Sequence, residues 1–201
     1  MQTRSEQTRE ALIRATAELI ADGRPADAGL VNICRRAGVS RGALYHHFSS
    51  TATLAAAVHE QARGRLEEIV DTAFSGAAVD APERFCLALT EALGTDKIVR
   101  AGMELAPDGS AGPPRLRDHL MSLLRDRVAA AHEAAGRRHG APPEDLADLA
   151  DLADLAVVVA AGLETLGRSD PTWWEGGTSR RLWALMRPLF PQADGGHRHL
   201  P

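Results

Sequence analysis

The feature that most constrains this chain is a pair of helix signals placed two residues apart, at Gly38 and Ser40. Glycine commonly follows the last residue of a helix, because it adopts left-handed backbone angles without steric cost. Serine is a preferred helix N-cap, because its hydroxyl accepts a hydrogen bond from a first-turn amide. Two helices joined by so short a turn are typical of a helix-turn-helix, and the sequence predicts one here.

Apolar spacing predicts helices on both sides of this turn. Residues 5–22 carry apolar side chains at alternating three- and four-residue intervals, which is the pattern of one helix face. The same reasoning predicts a second helix over residues 29–36 and a third over residues 41–47. These three helices form a predicted N-terminal domain that spans residues 1–50.

The rest of the chain also has a helical pattern. Hydrophobic residues make up 44% of the sequence but aromatic residues only 4%, so Ala, Leu and Val must fill the core and strand-forming residues are scarce. We predict an all-α fold of about nine helices, with a C-terminal helical bundle over residues 51–191 and a disordered tail over 192–201. The predicted body helices cover residues 52–74, 82–93, 97–105, 115–135, 144–166 and 178–187, and turns are predicted at 94–96, 107–114 and 136–143.

The distribution of charge separates the head from the body. The chain as a whole has a net charge of −4, which does not mark a nucleic-acid binder. Residues 1–50 nevertheless hold seven arginines against five acids, whereas the remainder holds 16 basic and 22 acidic residues. A basic head on an acidic body fits a small DNA-reading module carried by a larger domain that does not touch DNA.

Several functional classes lack their signatures. Cys34 and Cys86 form no CxxC unit and are predicted to be small buried side chains. No long apolar run occurs, so we expect no membrane segment and a cytoplasmic protein. No catalytic or phosphate-loop motif appears, so we expect no enzyme, cofactor or metal site. The Asp-Leu-Ala repeat at 145–156 predicts an amphipathic helix with an acidic face, a metal site being the alternative.

The residues after the turn suit contact with DNA. Arg41 and Gly42 would occupy the first turn of the recognition helix, which is the part that enters the major groove. Gly42 has no side chain to hold the backbone away from DNA, and Tyr45 offers a hydrogen-bonding group to bases and phosphates. The alternative is that these residues form an ordinary surface with no role.

The run from Gly38 to Phe48 resembles the TetR/AcrR family of repressors, and the similarity extends over about residues 4–60. The resemblance implies a homodimer, a head whose second and third helices contact DNA, and a helical body that holds a small-molecule pocket. It also marks two departures, because Thr51 stands where the family usually has Lys and Gly29 where it usually has Thr. The DNA-contacting residues predicted on these grounds are Arg4, Thr8, Arg9, Gly29, Ser40, Arg41, Gly42, Ala43, Leu44, Tyr45, His46, His47 and Thr51.

A second stretch, residues 95–105, is similar to the γ-butyrolactone receptor branch of that family, which senses diffusible lactones. The pocket tryptophan of that branch is replaced here, since Asp118, His119 and Leu120 occupy its place. The residues predicted to line a ligand site, or else to pack as core, are Phe85, Leu89, Met103, Leu120, Leu123, Leu124, Val128 and Trp174. The cluster Trp173, Trp174 and Trp183 is predicted to pack the last helices or a dimer face, or to line a pocket mouth.

We therefore expect a ligand-responsive transcriptional regulator, most simply a repressor. A small apolar effector, with a γ-butyrolactone-like signal as the candidate, would release it from a palindromic double-stranded DNA operator. Its homodimer surface is predicted on the eighth and ninth helices. Two alternatives remain open at this point, an enzyme and a helical interaction protein whose head no longer binds DNA.

Overall fold

The computed structural model describes residues 3–22, 29–76, 80–105, 115–139 and 145–189. Every regular element in these residues is helical, which confirms the predicted all-α fold. The helices are α1 (Arg4–Ala21), α2 (Leu30–Ala37), α3 (Arg41–His47), α4 (Thr51–Phe74), α5 (Ala81–Thr95), α6 (Lys97–Glu104), α7 (Leu116–His139), α8 (Asp145–Ser169) and α9 (Gly176–Met186). Two short 3₁₀ segments follow α8 and α9, at Pro171–Trp174 and Arg187–Leu189.

Two predicted turns differ from the structure. The prediction of a turn at 136–139 is wrong, because α7 continues to His139. The predicted break at 94–96 shrinks to Asp96, whose carboxylate caps α6 by accepting hydrogen bonds from two of its backbone amides. The Pro171–Trp174 segment was not predicted, and the predicted loop at 107–114 and tail at 192–201 lie outside the described residues.

The chain divides into two compact units. Unit 1 comprises Met1–Glu68 and Ala92–Leu120, and unit 2 comprises Ile69–Glu91 and Met121–Pro201. The predicted functional boundary at residue 50 is a different division and stays a prediction. No helix in the described residues is both long and apolar enough to cross a membrane.

Unit 1 is built around α1. Its apolar face, which includes the fully buried Leu12 and Ile13, packs against α2, α3 and α6. The ammonium of Lys97, at the start of α6, lies 2.6 Å from the carboxylate of Asp22, which follows the last residue of α1. This ion pair lowers the pKa of Asp22, chiefly through the hydrogen bond from Lys97. The head helices and α6 are therefore parts of one packed body.

Within unit 1, α4 and α6 approach each other at a point where only glycine fits. A Cβ on the buried Gly102 would lie 2.2 Å from the Cβ of Ala62 and 3.1 Å from Cδ2 of Leu116. Real Cβ atoms do not approach so closely, and backbone-level contacts of this kind cannot be relieved by a side-chain rotation. The absence of a side chain at Gly102 therefore sets the distance between the two helices.

Unit 2 has an apolar interior that contains a small buried polar cluster. Ser179 on α9 donates a hydrogen bond to the hydroxyl of Thr90 on α5 at 3.1 Å, and both residues are fully buried. Burial raises the pKa of the nearby Cys86 thiol to about 12, and a hydrogen bond from Trp183 opposes this shift in part. Cys34 and Cys86 are free and buried, as predicted.

Trp174 joins the 3₁₀ segment to α8. Its indole nitrogen donates a hydrogen bond to the backbone carbonyl of Leu163 at 3.2 Å. The ring lies over Gly167, where a Cβ would fall 2.0 Å from the indole nitrogen. Trp174 is buried in this position, which favours the packing interpretation of this tryptophan over a place at a pocket mouth.

The crossing of α4 and α6 gives a stability prediction. Gly102→Ala is expected to lower the free energy of unfolding by about 1–3 kcal/mol, because the new methyl group overpacks the contact with Ala62. Gly64→Ala on α4 is the matched control, since nothing lies within 4 Å of its added Cβ, and it should gain roughly 0.5–1 kcal/mol from helix propensity. Urea unfolding followed by circular dichroism measures both, and an equal change in the two variants would contradict the close crossing.

The contact between the Trp174 indole and Gly167 gives a second prediction. Gly167→Ala is expected to displace the indole and to cost about 1–3 kcal/mol of stability, with a red-shifted tryptophan emission as the ring enters water. Gly162→Ala on the same helix adds a Cβ with nothing within 4 Å and should leave the emission unchanged. A Gly167→Ala protein with the wild-type emission spectrum would show that the indole does not rest on this glycine.

Candidate nucleic-acid interface and effector core

The turn between α2 and α3 depends on the backbone of Gly38. Gly38 has φ 67° and ψ 29°, and it is the one residue with positive φ in the described chain. Its amide donates to the carbonyl of Arg35 at 3.3 Å, and the amide of Val39 donates to the carbonyl of Cys34 at 3.0 Å. This pair of hydrogen bonds is a Schellman motif, which closes α2 and directs the chain into α3.

The recognition helix α3 is capped at its start and anchored from inside. The hydroxyl of Ser40 accepts a hydrogen bond from the amide of Ala43 at 3.1 Å, as the sequence predicted. Leu44 and Phe48 are buried one turn apart. The predicted DNA contact by Leu44 is therefore wrong for its side chain, because full burial directs it into the head.

The outer face of α3 is exposed. Arg41, Gly42, Tyr45 and His46 are exposed, whereas Ala43 and His47 are half-buried. A Cβ added to Gly42 would meet only the Ser40 hydroxyl, at 3.8 Å. The packing of the head therefore does not require glycine at this position, and the absence of a side chain matters only for something that approaches from outside.

The arginines of the head fall into two groups. Arg36 on α2 forms an ion pair with Glu18 on α1, which raises the pKa of Arg36 mainly through the hydrogen bond from the guanidinium. Arg9 lies over the ring of Phe48, 5.4 Å from its centroid. Arg41 is exposed and forms no ion pair with the described residues. Arg36 and Arg9 thus brace the three helices, and Arg41 presents its charge outward.

The predicted phosphate contacts differ in what they can offer. Arg4 is exposed at the start of α1. The hydroxyl of Thr8 donates its proton to the backbone carbonyl of Arg4 at 3.0 Å, so this proton is used within the helix. Gly29 caps α2 without any side-chain hydrogen bond. Thr51 is exposed at the first position of α4. The first turn of α2 therefore has no side-chain cap, whereas in α4 the hydroxyl of Ser50 accepts a hydrogen bond from the amide of Thr53 at 3.1 Å.

The predicted ligand residues are almost all core residues. Phe85, Leu89, Leu124 and Val128 are buried in unit 2, Met103 and Leu120 are buried in unit 1, Leu123 is half-buried, and Trp174 packs on α8. The structure thus brings five of the eight into unit 2 as buried side chains.

The Asp-Leu-Ala repeat is described at its last unit alone, residues 154–156. Asp154 is exposed there and forms an ion pair with Arg125 at 2.8 Å. The side chains of 145–153 lie outside the described residues.

One residue of the head, with no predicted role, is exposed in an unusual place. Val31, the second residue of α2, is exposed although it is apolar. The signal was available in principle, because an apolar β-branched residue is unusual in the first turn of a short helix, where acidic and small polar residues are favoured.

Comparisons with known proteins agree with this geometry. Residues 12–58 match the family model of bacterial regulatory proteins of the tetR family. The A-factor receptor protein of Streptomyces griseus is 31% identical over 108 residues, which are 54% of this chain and 38% of that protein. The chain therefore aligns with less than half of the length of this relative.

Solved structures extend the likeness to nearly the whole chain. A γ-butyrolactone receptor described as an ArpA-like protein is 25% identical, with a TM-score of 0.60 over 94% of this chain and 98% of that one. The TetR family protein CprB of Streptomyces coelicolor A3(2) is 25% identical, with a TM-score of 0.69 over 95% and 92% of the two chains. CprB has also been solved with its biological operator sequence, in a structure 24% identical to this chain with a TM-score of 0.68 over 95% and 92%. The capped helix-turn-helix lies within residues 12–58, the segment that is similar to the tetR family of bacterial regulatory proteins.

Proposed function

We propose that this chain is a ligand-responsive, DNA-binding transcriptional repressor rather than an enzyme. The observation that carries the proposal is the exposed face of α3. Arg41, Gly42 and Tyr45 lie on this face, and the packing of the head does not require glycine at position 42. A recognition helix held in this way enters the major groove with its N-terminal residues toward the bases. Residues 1–50 form the DNA-binding domain, and residues 51–191 bind the effector and dimerise.

The contacts fall into two classes. Arg41, Tyr45 and His46 face base edges, with Arg41 suited to guanine O6 and N7 because a guanidinium donates two parallel hydrogen bonds. Arg4, Gly29, Ser40, Ala43 and Thr51 lie at or near helix starts and contact phosphates. So do His47, at the end of α3, and Arg9, which is exposed as well as stacked on Phe48. Such contacts position the head without reading sequence. The similar protein CprB has been solved in complex with its biological operator sequence. For this chain the operator would be a palindromic double-stranded DNA site.

The DNA proposal predicts different losses at neighbouring positions. Arg41→Ala is expected to weaken operator binding about 10- to 100-fold, because a base contact is worth roughly 1–3 kcal/mol. Gly42→Ala should also weaken binding while leaving the fold intact, since its Cβ meets nothing closer than 3.8 Å within the protein. The measurement is a mobility-shift titration on a duplex selected by the wild-type protein from a randomised library.

Arg125→Ala is the matched control, because it removes the same charge from an exposed pair in unit 2. It should bind the selected duplex as the wild type does, at each salt concentration tested. A wild-type protein that selects no sequence, or that binds all duplexes alike, would sink the DNA proposal and favour a helical interaction protein whose head has lost this role.

The dimer surface lies on α8 and α9. Three large apolar side chains of the described part of unit 2 are exposed there, namely Val158 at 66%, Leu166 at 45% and Leu185 at 78%. Burial of such exposed apolar side chains against a second copy of the chain would stabilise a dimer. A two-fold dimer would cover them and would place two recognition helices in successive major grooves, ~34–36 Å apart.

The dimer proposal is tested by charge insertion. Leu185→Glu combined with Val158→Glu is expected to give a monomer, because each subunit would bury two unpaired carboxylates against its partner. Ala130→Glu, at an exposed position of α7, is the control and should remain a dimer. Light scattering coupled to gel filtration reports the mass, and a monomeric wild-type protein would contradict this surface.

The effector is a small apolar molecule, and the γ-butyrolactones named for the relatives are the candidates. The proposed lining residues are those of the predicted set that lie on α5 and α7 within unit 2, namely Phe85, Leu89, Leu123, Leu124 and Val128, whose apolar surfaces suit such a ligand. A repressor of this kind acts on DNA in the cytoplasm. Adding a γ-butyrolactone to the mobility-shift assay should release the operator, and a duplex retained at every lactone concentration would contradict this effector class alone.

A further inference from the structure

We propose that Val31 reads a thymine in the operator by packing its side chain against the thymine C5-methyl group. This inference rests on the proposed DNA-binding function and adds a specificity-determining residue outside the recognition helix. Val31 is the second residue of α2, and its side chain is 61% exposed.

The exposure of Val31 is unusual within its own unit. In the described part of unit 1, the exposed large hydrophobic residues are Val31 and Tyr45, and both belong to the helix-turn-helix. The following residue of the α2 core, Ile33, is buried. A single exposed valine is ordinary on a protein surface, so its position in the helix must carry the argument.

The first turn of α2 is poorly built for stability. A helix start favours Asp or Glu, which the dipole stabilises, and a side-chain cap, which satisfies a first-turn amide. α2 has neither, because it has no acidic residue in its first turn and Gly29 makes no side-chain cap. A β-branched residue such as Val31 also lowers helix propensity. The missing acidic residue, the missing side-chain cap and the β-branched valine each make this helix end less stable.

The missing carboxylate and the missing cap both suit an approach to DNA. The absence of a carboxylate removes repulsion from phosphates, and the absence of a cap leaves first-turn amides available to an anion. α2 has no acidic residue along its length, and Arg35 in its last turn is exposed while Arg36 pairs with Glu18. The remaining positive charge of α2 complements a polyanion. The helix that contains Val31 therefore has the charge of a DNA-facing element.

The occupant of the valine surface follows from size. Protein interfaces need an apolar area many times that of one side chain, and the first turn of α2 offers a single exposed valine. The major groove presents one apolar group at its base edges, the C5-methyl of thymine, and small apolar side chains contact it in sequence readout. A thymine methyl is the partner that matches one valine in a basic setting.

Uracil tests the contact, because it is thymine without the methyl group. In the duplex selected by the wild-type protein, each thymine of both half-sites is replaced in turn by uracil, and wild-type and Val31→Ala proteins are titrated on every duplex. One position is expected to weaken wild-type binding about 3- to 5-fold per half-site, from the burial of one methyl group. Val31→Ala should bind the thymine and uracil duplexes at that position equally.

Two controls separate contact from folding. Val31→Thr keeps the shape of the side chain and one methyl group, and should retain part of the thymine preference. Thermal unfolding should show Val31→Ala at least as stable as the wild type, because the site is exposed and alanine is the better helix former.

Two outcomes overturn the proposal. Independent effects, in which Val31→Ala weakens binding by the same factor at thymine and uracil for every position, would show that the valine meets no methyl group. Wild-type binding by Val31→Ala would show that it meets nothing. A wild-type protein that selects no duplex would overturn the proposed function together with this inference, so the two failures are distinguishable.

Discussion

The left-handed backbone of Gly38 is the constraint on which the rest of the head depends. It lets α2 end in two backbone hydrogen bonds and places Ser40 where its hydroxyl caps α3. Any residue with a Cβ would pay about 1–2 kcal/mol to hold this conformation. Because α3 is only seven residues long, it could not persist alone, and its direction is set by this turn and by the burial of Leu44.

The arginines of the head differ in what they contact. Arg36 and Arg9 are spent on holding α1, α2 and α3 together, one through Glu18 and the other through the face of Phe48. An exposed ion pair such as Arg36–Glu18 contributes modestly to stability. Both contacts nevertheless hold an arginine side chain in one position. Arg41, which is exposed at the start of the recognition helix, presents its charge outward, where a base or phosphate would meet it.

α6 belongs to the same compact unit as the three helices of the head. The Lys97–Asp22 ion pair and the glycine-limited crossing at Gly102 attach it to α1 and α4 within unit 1. The sequence analysis assigned α6 to the effector domain by its place after residue 50. A boundary drawn along the chain cannot detect such packing, because it depends on which helices meet in space.

The sequence determined the elements of this protein, and the tertiary structure decided their faces. The Gly38–Ser40 signals predicted the turn and the limits of α3 because capping is local chemistry, and the scarcity of strand formers predicted an all-α chain for the same reason. Burial is not local. Only the fold showed that Leu44 points inward while Val31 points outward, and that Trp174 rests on Gly167. Helical periodicity gives a face to each helix, but which face becomes interior depends on neighbours that are distant in sequence.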